Sequence, residues 1–262
     1  MNNAPLILVL LAAALSGCSE EGPHLEDPRL AAAREAGEQL AKQGGGGVPP
    51  CVSCHGLKGE GIGVFPRLAA QHPLYLYRQL EDLARTEPAE GESIKPITQK
   101  DSATQLIHSD LTAFPPGVRH DPVMSPIVGL LTEEARRNLA IYFASLPFDA
   151  TPVEADGQTL EQGQDLALRG KAESGLPACV TCHGPNGEGF EADFPPLAGQ
   201  PAAYLITQID HWQSGLRDNG PQRLMRAVAN QLTDADKANV AAYFANRASH
   251  WPGYQGDWPW SD

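Results

Sequence analysis

The sequence predicts an all-α protein made of two tandem helical domains. Three observations support this prediction: apolar residues recur at helical spacing, no segment alternates apolar and polar residues as a strand would, and the second half of the chain repeats the first. With 262 residues, the chain is long enough for two domains with buried cores. Its 26 Gly and 23 Pro favour short helices joined by turns over long coiled coils.

The N-terminal segment is typical of an export signal. An apolar stretch over residues 6–15 is too short to span a bilayer, and residues 1–17 are predicted to be a signal peptide. The letters L-S-G-C that end at Cys18 resemble a bacterial lipobox, which predicts cleavage before Cys18, acylation of its thiol and a tether over residues 18–26. Ser19, directly after Cys18, resembles the residue found at that position in lipoproteins sorted to the outer membrane. The alternative is an ordinary signal peptide with Cys18 as a free thiol.

Each half then begins with a predicted helix, over residues 28–42 and 159–172. Gly37 and Gly163 lie inside these helices and would let another helix approach closely. Each half also ends with a helix that carries an apolar stripe. Thr132 and Thr233 are the predicted N-caps of those last helices.

A C-x-x-C-H pentapeptide follows the first helix of each half. Two thiols one turn apart can reach the two vinyl groups of one haem, and the adjacent His then faces its iron. The pentapeptides therefore predict two covalently attached haem c groups, held by Cys51, Cys54 and His55 and by Cys179, Cys182 and His183. A thioredoxin-like dithiol and a zinc site are the competing interpretations, but no strand-rich redox fold surrounds either pair, and zinc gives no reason for a His directly after both.

Two methionines remain once the signal peptide is removed, and they occupy corresponding positions before the last helix of each half. Met124 precedes L-T-E, and Met225 precedes L-T-D. A thioether on the second side of the iron raises the reduction potential and closes the coordination position to substrate. We expect Met124 and Met225 to be the distal iron ligands, opposite His55 and His183.

The repeat divides the chain into domains. We expect an N-terminal domain over residues 27–147, a linker over 148–156 and a C-terminal domain over 157–250. Residues 251–262 form a Trp-rich tail. Its aromatic side chains need burial or a partner, and we expect the tail to fold back over its own domain, with a docking tail as the alternative.

Residues 27–250 resemble the di-haem class I cytochromes c of the cytochrome c4 type. The resemblance rests on the two pentapeptides, a repeated F-P-x-L-A-x-Q stretch, the distal Met and a last helix with Tyr-Phe. It implies two tandem class I cytochrome c domains, each wrapped around one haem, with the first and last helices crossing near Gly37 and Gly163. It also implies that the Pro66 and Pro195 carbonyls accept hydrogen bonds from the proximal imidazoles.

The first half departs from the second by an insert. His55 and Met124 are 69 residues apart, whereas His183 and Met225 are 42 apart. The 27 extra residues include His108 and His120, and either could replace Met124 as ligand. The Pro, Gly and acidic content of the insert favours a solvated loop instead.

The sequence indicates an electron carrier rather than an enzyme, which relays single electrons between exported or membrane-bound redox partners such as a donor complex and a terminal oxidase. The alternatives are a haem peroxidase, or the cytochrome subunit of a dehydrogenase or sulfur-oxidising complex. No small-molecule substrate is expected. We expect the protein at the periplasmic face of a bacterial membrane, held by its lipid anchor, with the outer membrane preferred.

Acidic residues exceed basic ones by 32 to 19, which gives a formal net charge of −13. This charge disfavours nucleic acid as a partner and favours redox proteins with basic or neutral docking surfaces. Three arginines lie close to Met225 in sequence: Arg217, Arg223 and Arg226. They could pair with haem propionates, guide a partner or remain solvated.

Overall fold

The computed structural model describes residues 27–85, 117, 119–150, 152, 155–247 and 249–260. Helices provide nearly all of its regular structure, and the predicted all-α fold is confirmed. The first half contains helices α1 to α5: Pro28–Gln43, Val52–His55, Pro73–Ala84, Met124–Val128 and Glu133–Ser145. The second half contains α6 to α10: Gly157–Arg169, Val180–His183, Ala202–Ser214, Leu224–Ala229 and Asp234–Ala245. Outside these helices lie a 3₁₀ turn and two strands, β1 and β2: Pro221–Arg223, Phe148–Ala150 and Ser249–Trp251.

The last helix of each domain begins at the predicted cap. Before α5, the Thr132 hydroxyl accepts a hydrogen bond from the Ala135 amide. Before α10, Thr233 and Asp236 form a capping box, in which each side chain accepts from the other residue's amide. The two caps satisfy amides that have no partner within the helix, and they fix where each helix starts.

The first helix of each domain matches the predicted segments 28–42 and 159–172 with shifted ends. α1 extends one residue further than predicted. α6 starts two residues earlier, because Asp156 caps it, and ends three residues earlier at Arg169. The next residue, Gly170, has a positive φ of 65°, which ends the helix and turns the chain toward the haem-attachment motif.

The first and last helices of each domain cross at a glycine. A Cβ atom at Gly37 would lie 2.6 Å from the carbonyl carbon of Asn138 on α5, and one at Gly163 would lie 2.7 Å from that of Asn239 on α10. No side chain fits at such distances, so these two helix pairs pack only because glycine is present. The crossings expected near Gly37 and Gly163 are confirmed.

Each domain has its own apolar core. In the first domain, α1 and α3 pack against α5, and the buried residues include Leu30, Leu76, Leu139, Tyr142 and Phe143. In the second domain, α6 and α8 pack against α10, and the buried residues include Leu166, Ile209, Val240, Tyr243 and Phe244. The repeat in the sequence is therefore a repeat of packing as well.

The two strands, which the sequence analysis did not predict, form an antiparallel ribbon between the domains. β1 lies at the start of the segment interpreted as a linker, and β2 follows α10. In this ribbon Phe148 pairs with Trp251 and Ala150 with Ser249. The ribbon therefore joins the end of the first domain to the end of the second.

The C-terminal tail packs on the first domain, so the expectation that it folds over its own domain is wrong. Trp258 is 5% exposed and belongs to the first domain's core. The Tyr254 amide donates to the Ala144 carbonyl at 2.8 Å, and the Trp260 ring packs edge-on against Tyr77. The ribbon explains this path, because it already directs residues after β2 toward α5.

Arg67 is the largest fully buried side chain among the described residues, and it lies where the domains meet. Its guanidinium carbon is 4.6 Å from the centre of the Phe148 ring and 4.7 Å from that of Trp251. One of its nitrogens donates to the Ala198 carbonyl in the second domain. The Gln200 amide exchanges two hydrogen bonds with the Arg67 backbone, both 3.0 Å. The ribbon and Arg67 therefore form one interdomain contact.

Among the described residues, no helix combines the length and the apolar character needed to cross a bilayer. The predicted signal peptide at residues 1–17, Cys18 and the tether at 18–26 lie outside the described residues. His108 in the insert also lies outside them.

Candidate haem-binding sites

The proximal histidine of the first domain ends the one-turn helix α2. His55 is 4% exposed, and its Nδ1 lies 3.0 Å from the Pro66 carbonyl oxygen. Because a carbonyl can only accept, Nδ1 carries the proton and donates it. Nε2 is then left with a lone pair, and this atom is buried without a hydrogen-bond partner.

His183 repeats this arrangement at the end of α7. Its Nδ1 donates to the Pro195 carbonyl over 2.8 Å, and its buried Nε2 has no hydrogen-bond partner. Burial lowers the pKa of both imidazoles below the ordinary value, which favours the neutral form of each ring. A neutral, oriented imidazole with an unused Nε2 lone pair can donate that lone pair to a metal ion. The residues therefore fit haem iron.

The four thiols of the pentapeptides border the same space as the two histidines. None is in a disulfide. Cys54 is exposed and the other three are half-buried: Cys51, Cys179 and Cys182. Burial raises the pKa of the Cys51 and Cys179 thiols to about 11. Thiols in this setting remain available for thioether bonds to a haem edge.

Met124 is the first residue of α4, and Asp121 fixes the start of that helix. One Asp121 carboxylate oxygen accepts from the Val123 amide at 2.9 Å and from the Met124 amide at 2.8 Å. These two bonds satisfy amides that would otherwise lack partners. The Asp121 side chain therefore holds the backbone that presents Met124 to the cavity.

Met225 is the second residue of α9, and a strained turn precedes it. Gln222 and Arg223 both have left-handed φ values, 47° and 58°, which non-glycine residues rarely adopt. Consecutive residues in this conformation reverse the chain within the 3₁₀ turn and start α9 at Leu224. Met225 reaches the cavity wall from this helix.

One continuous cavity of roughly 880 Å³ joins the two sites. Its walls are mainly apolar, and they include both histidines, both methionines and all four thiols. Each domain thus presents a neutral imidazole and a thioether to an apolar space bordered by two thiols. This arrangement suits a flat apolar macrocycle with a central metal in each domain.

Comparison with known proteins agrees with this geometry. Residues 161–248 match the cytochrome c family. The chain is 34% identical over 215 residues to the thiosulfate dehydrogenase electron acceptor of Stutzerimonas stutzeri (strain A1501), which covers 80% of this chain and 85% of that protein. It is 32% identical over 221 residues to cytochrome c4 of Thiocapsa roseopersicina, which covers 83% of this chain and 96% of that protein. The chain belongs to the cytochrome c4 family.

The crystal structure of reduced recombinant cytochrome c4 from Pseudomonas stutzeri superimposes with a TM-score of 0.63 at 30% identity. The match covers 82% of this chain and 98% of that structure. This cytochrome c4 family member therefore binds two covalent haem c groups, one for each C-x-x-C-H motif, and transfers electrons.

His120, the described histidine alternative for the first haem, differs from Met124 in position. The His120 side chain is exposed and is not part of the cavity wall, whereas Met124 is. The His120 amide donates to the Leu216 carbonyl at 2.8 Å, which holds this part of the backbone against the second domain. Between His120 and Met124, the geometry favours Met124.

The three arginines that the sequence places close to Met225 divide into two groups. Arg223 and Arg226, near Met225, both pair with the Asp218 carboxylate. Arg217 is buried and borders the haem cavity instead. Arg119 also borders the cavity, and the sequence analysis missed it because it lies within the insert, where no corresponding position in the second half marks it.

Proposed function

We propose that His55 and Met124 ligate one haem iron and that His183 and Met225 ligate the other. The buried Nε2 atoms of the two histidines support this assignment most directly, because each is oriented by a proline carbonyl and lacks any other partner. The two pentapeptide thiol pairs would hold the haem edges: Cys51 with Cys54 and Cys179 with Cys182.

Each haem supplies one-electron exchange between ferric and ferrous iron. The protein's own residues would restrict the haems to electron exchange. The proline carbonyls orient the imidazoles and increase their basicity. The methionines would occupy the coordination position at which peroxide or oxygen could otherwise bind. The apolar cavity walls would limit the access of water to the metal.

We further propose that the protein takes single electrons from an exported dehydrogenase and passes them to a terminal oxidase. Its similarity to a thiosulfate dehydrogenase electron acceptor makes a thiosulfate-oxidising enzyme the preferred donor. The formal charge of −13 suits a donor with a basic or neutral docking face.

The donor is tested with purified holoprotein, a thiosulfate dehydrogenase and thiosulfate. We expect reduced-haem absorbance to appear only when all three are present, at a rate that falls as salt increases. Dithionite serves as the control for full reduction. If dithionite reduces both haems but the enzyme reduces neither, this donor assignment fails while the electron-carrier function stands.

A haem peroxidase is the alternative function, and it requires one iron with an open position. The place of Met124 in the cavity wall argues against it. The spin state of the ferric first haem distinguishes the electron carrier from the peroxidase, with Met124→Ala as the reference for an open site. A low-spin wild-type protein that is unaffected by peroxide excludes the peroxidase; a high-spin first haem would support it.

We propose that the protein is exported to the periplasmic side of a bacterial membrane and held there by acylated Cys18, with the outer membrane preferred. The apolar segment and the lipobox-like letters before Cys18 support this proposal. Cys18→Ala should move the protein from the membrane fraction to the soluble periplasmic fraction. Continued membrane retention would count against the lipid anchor.

A further inference from the structure

Two arginines meet where the domains touch. Arg119 and Arg217 form an antiparallel backbone bridge across the interface. Arg119 precedes Met124 by five residues, and Arg217 precedes Met225 by eight. Both side chains border the cavity that joins the two haem sites. Each arginine thus belongs to the segment that leads into one proposed distal ligand while facing the other domain.

Their side chains share acceptors from both domains. Arg119 donates to Gln79 at 2.6 Å and to Gln208 at 3.4 Å. Arg217 donates to the same two amide oxygens, at 2.9 Å and 2.7 Å. Gln79 lies on α3 and Gln208 on α8, so neither cation belongs to one haem site alone.

Neutral oxygens provide the remaining partners. Arg119 also donates to the Tyr204 hydroxyl, and Arg217 donates to the Tyr75 hydroxyl and to Asn219. The Arg217 guanidinium stacks on the Trp212 ring, 4.1 Å from its centre. Within the described part of the chain, no carboxylate makes an ion pair with either arginine.

The acids nearest this site are already engaged. Asp82 accepts from Asn219 at 2.8 Å and attracts both arginines electrostatically, but it forms no ion pair with either of them. Asp218 pairs with Arg226. Burial, followed by the repulsion from Arg119, lowers the pKa of Arg217. Asp82 alone faces two neighbouring buried cations and pairs directly with neither, so a further anion between them would be favourable.

Haem c carries two propionate carboxylates, and the arginines face the cavity in which both haems lie. We propose that Arg119 and Arg217 form a shared propionate-binding bridge that raises the reduction potentials of both haems. This proposal rests on the two-haem assignment above and adds to it which residues take the carboxylates. Guanidinium groups match carboxylates in geometry and retain their charge even inside a protein.

The effect on potential follows from charge. Reduction lowers the charge of the iron by one unit, so a nearby cation favours the reduced state. A unit charge on the order of 10 Å away, at an effective dielectric constant of about 20, changes the reduction equilibrium constant by about tenfold. Because both cations share Gln79 and Gln208, losing either one should shift both haems rather than only the nearer one.

The test is a spectroelectrochemical titration of the holoprotein with four substitutions and a control. Arg119→Gln and Arg217→Gln remove the charge, and Arg119→Lys and Arg217→Lys retain it. Lys171→Gln is the control, because Lys171 is partly buried and paired with Asp236 at 2.7 Å, and neither residue borders the cavity. Thermal unfolding and the iron-thioether band verify that each variant keeps its fold and its ligands.

We expect each Gln variant to lower the reduction equilibrium constants of both haems about tenfold, and each Lys variant to recover most of the loss. The control should change them less than threefold. A change below threefold at both haems, a shift confined to one haem, or an equal shift in Lys171→Gln would overturn the proposal. If the wild-type protein itself lacks two low-spin haems, the ligand assignment fails instead.

Discussion

Replacing Gly163 by Ala tests whether the helix crossing positions the second domain's haem-binding elements. The added Cβ would lie 2.7 Å from the Asn239 carbonyl carbon and 2.8 Å from the Tyr243 Cβ. Neither atom belongs to a flexible side-chain end, so α6 and α10 must move apart. Their contact contains buried Leu166, Val240 and Tyr243, and this packing would loosen along its length.

The size of the effect can be derived from these contacts. Overpacking of this kind costs about 3 kcal/mol when backbone must shift. Alanine returns about 1 kcal/mol through its higher helix propensity. The net loss is then about 2 kcal/mol, which lowers the unfolding temperature of a domain of this size by about 10 °C.

Gly157→Ala is the matched control in the same helix. Gly157 is the first residue of α6, and a Cβ there meets nothing within 4 Å. Thermal unfolding of the holoproteins, followed by far-UV circular dichroism and by haem absorbance, should show a lower second-domain transition only for Gly163→Ala. Equal transitions in both variants would refute the argument that this crossing requires glycine.

Three other substitutions test separate contacts. Asp121→Ala removes two hydrogen bonds from the start of α4 and should destabilise that helix by about 1 kcal/mol. The first haem's iron-thioether band should then disappear at a lower temperature than in wild type. An unchanged melting curve of this band would contradict the prediction. Trp258→Ala removes a ring buried in the first domain's core and should cost about 3–5 kcal/mol, measured by denaturant unfolding; a loss confined to the second domain's transition would show that the tail does not stabilise the first. Met225→His should lower the second haem's potential, on the order of a tenth of a volt, and an unchanged redox titration would count against Met225 as a ligand.

The repeat made much of the fold predictable. Periodic apolar positions and cap residues such as Thr132 and Thr233 are local signals, so the helices follow from neighbouring residues in sequence. Gly37 and Gly163 predicted the helix crossings, because a glycine inside a helix lowers its stability and is typical of a place where another backbone comes close. The pentapeptides identified the haem-attachment residues for the same reason: their chemistry depends on local spacing.

The contacts between the domains could not be predicted in this way. The three-residue strands β1 and β2 are too short to show alternation, and their pairing joins residues about one hundred positions apart. The tail's aromatic residues predicted burial but not which domain they cover. Arg67 occupies a position where the second half has Pro196, so the repeat gave no sign that this arginine is buried against the ribbon.

The central claim is that each domain holds a six-coordinate haem between His and Met. The most direct test of this claim is a redox titration of wild type, Met124→Ala and Met225→Ala. The quantity measured is the absorbance of the oxidised protein in the iron-thioether charge-transfer region. We predict that the wild type shows the band with two haems per chain and that each variant loses about half of its intensity. A wild-type protein without the band, or a band unchanged by both substitutions, would contradict the account.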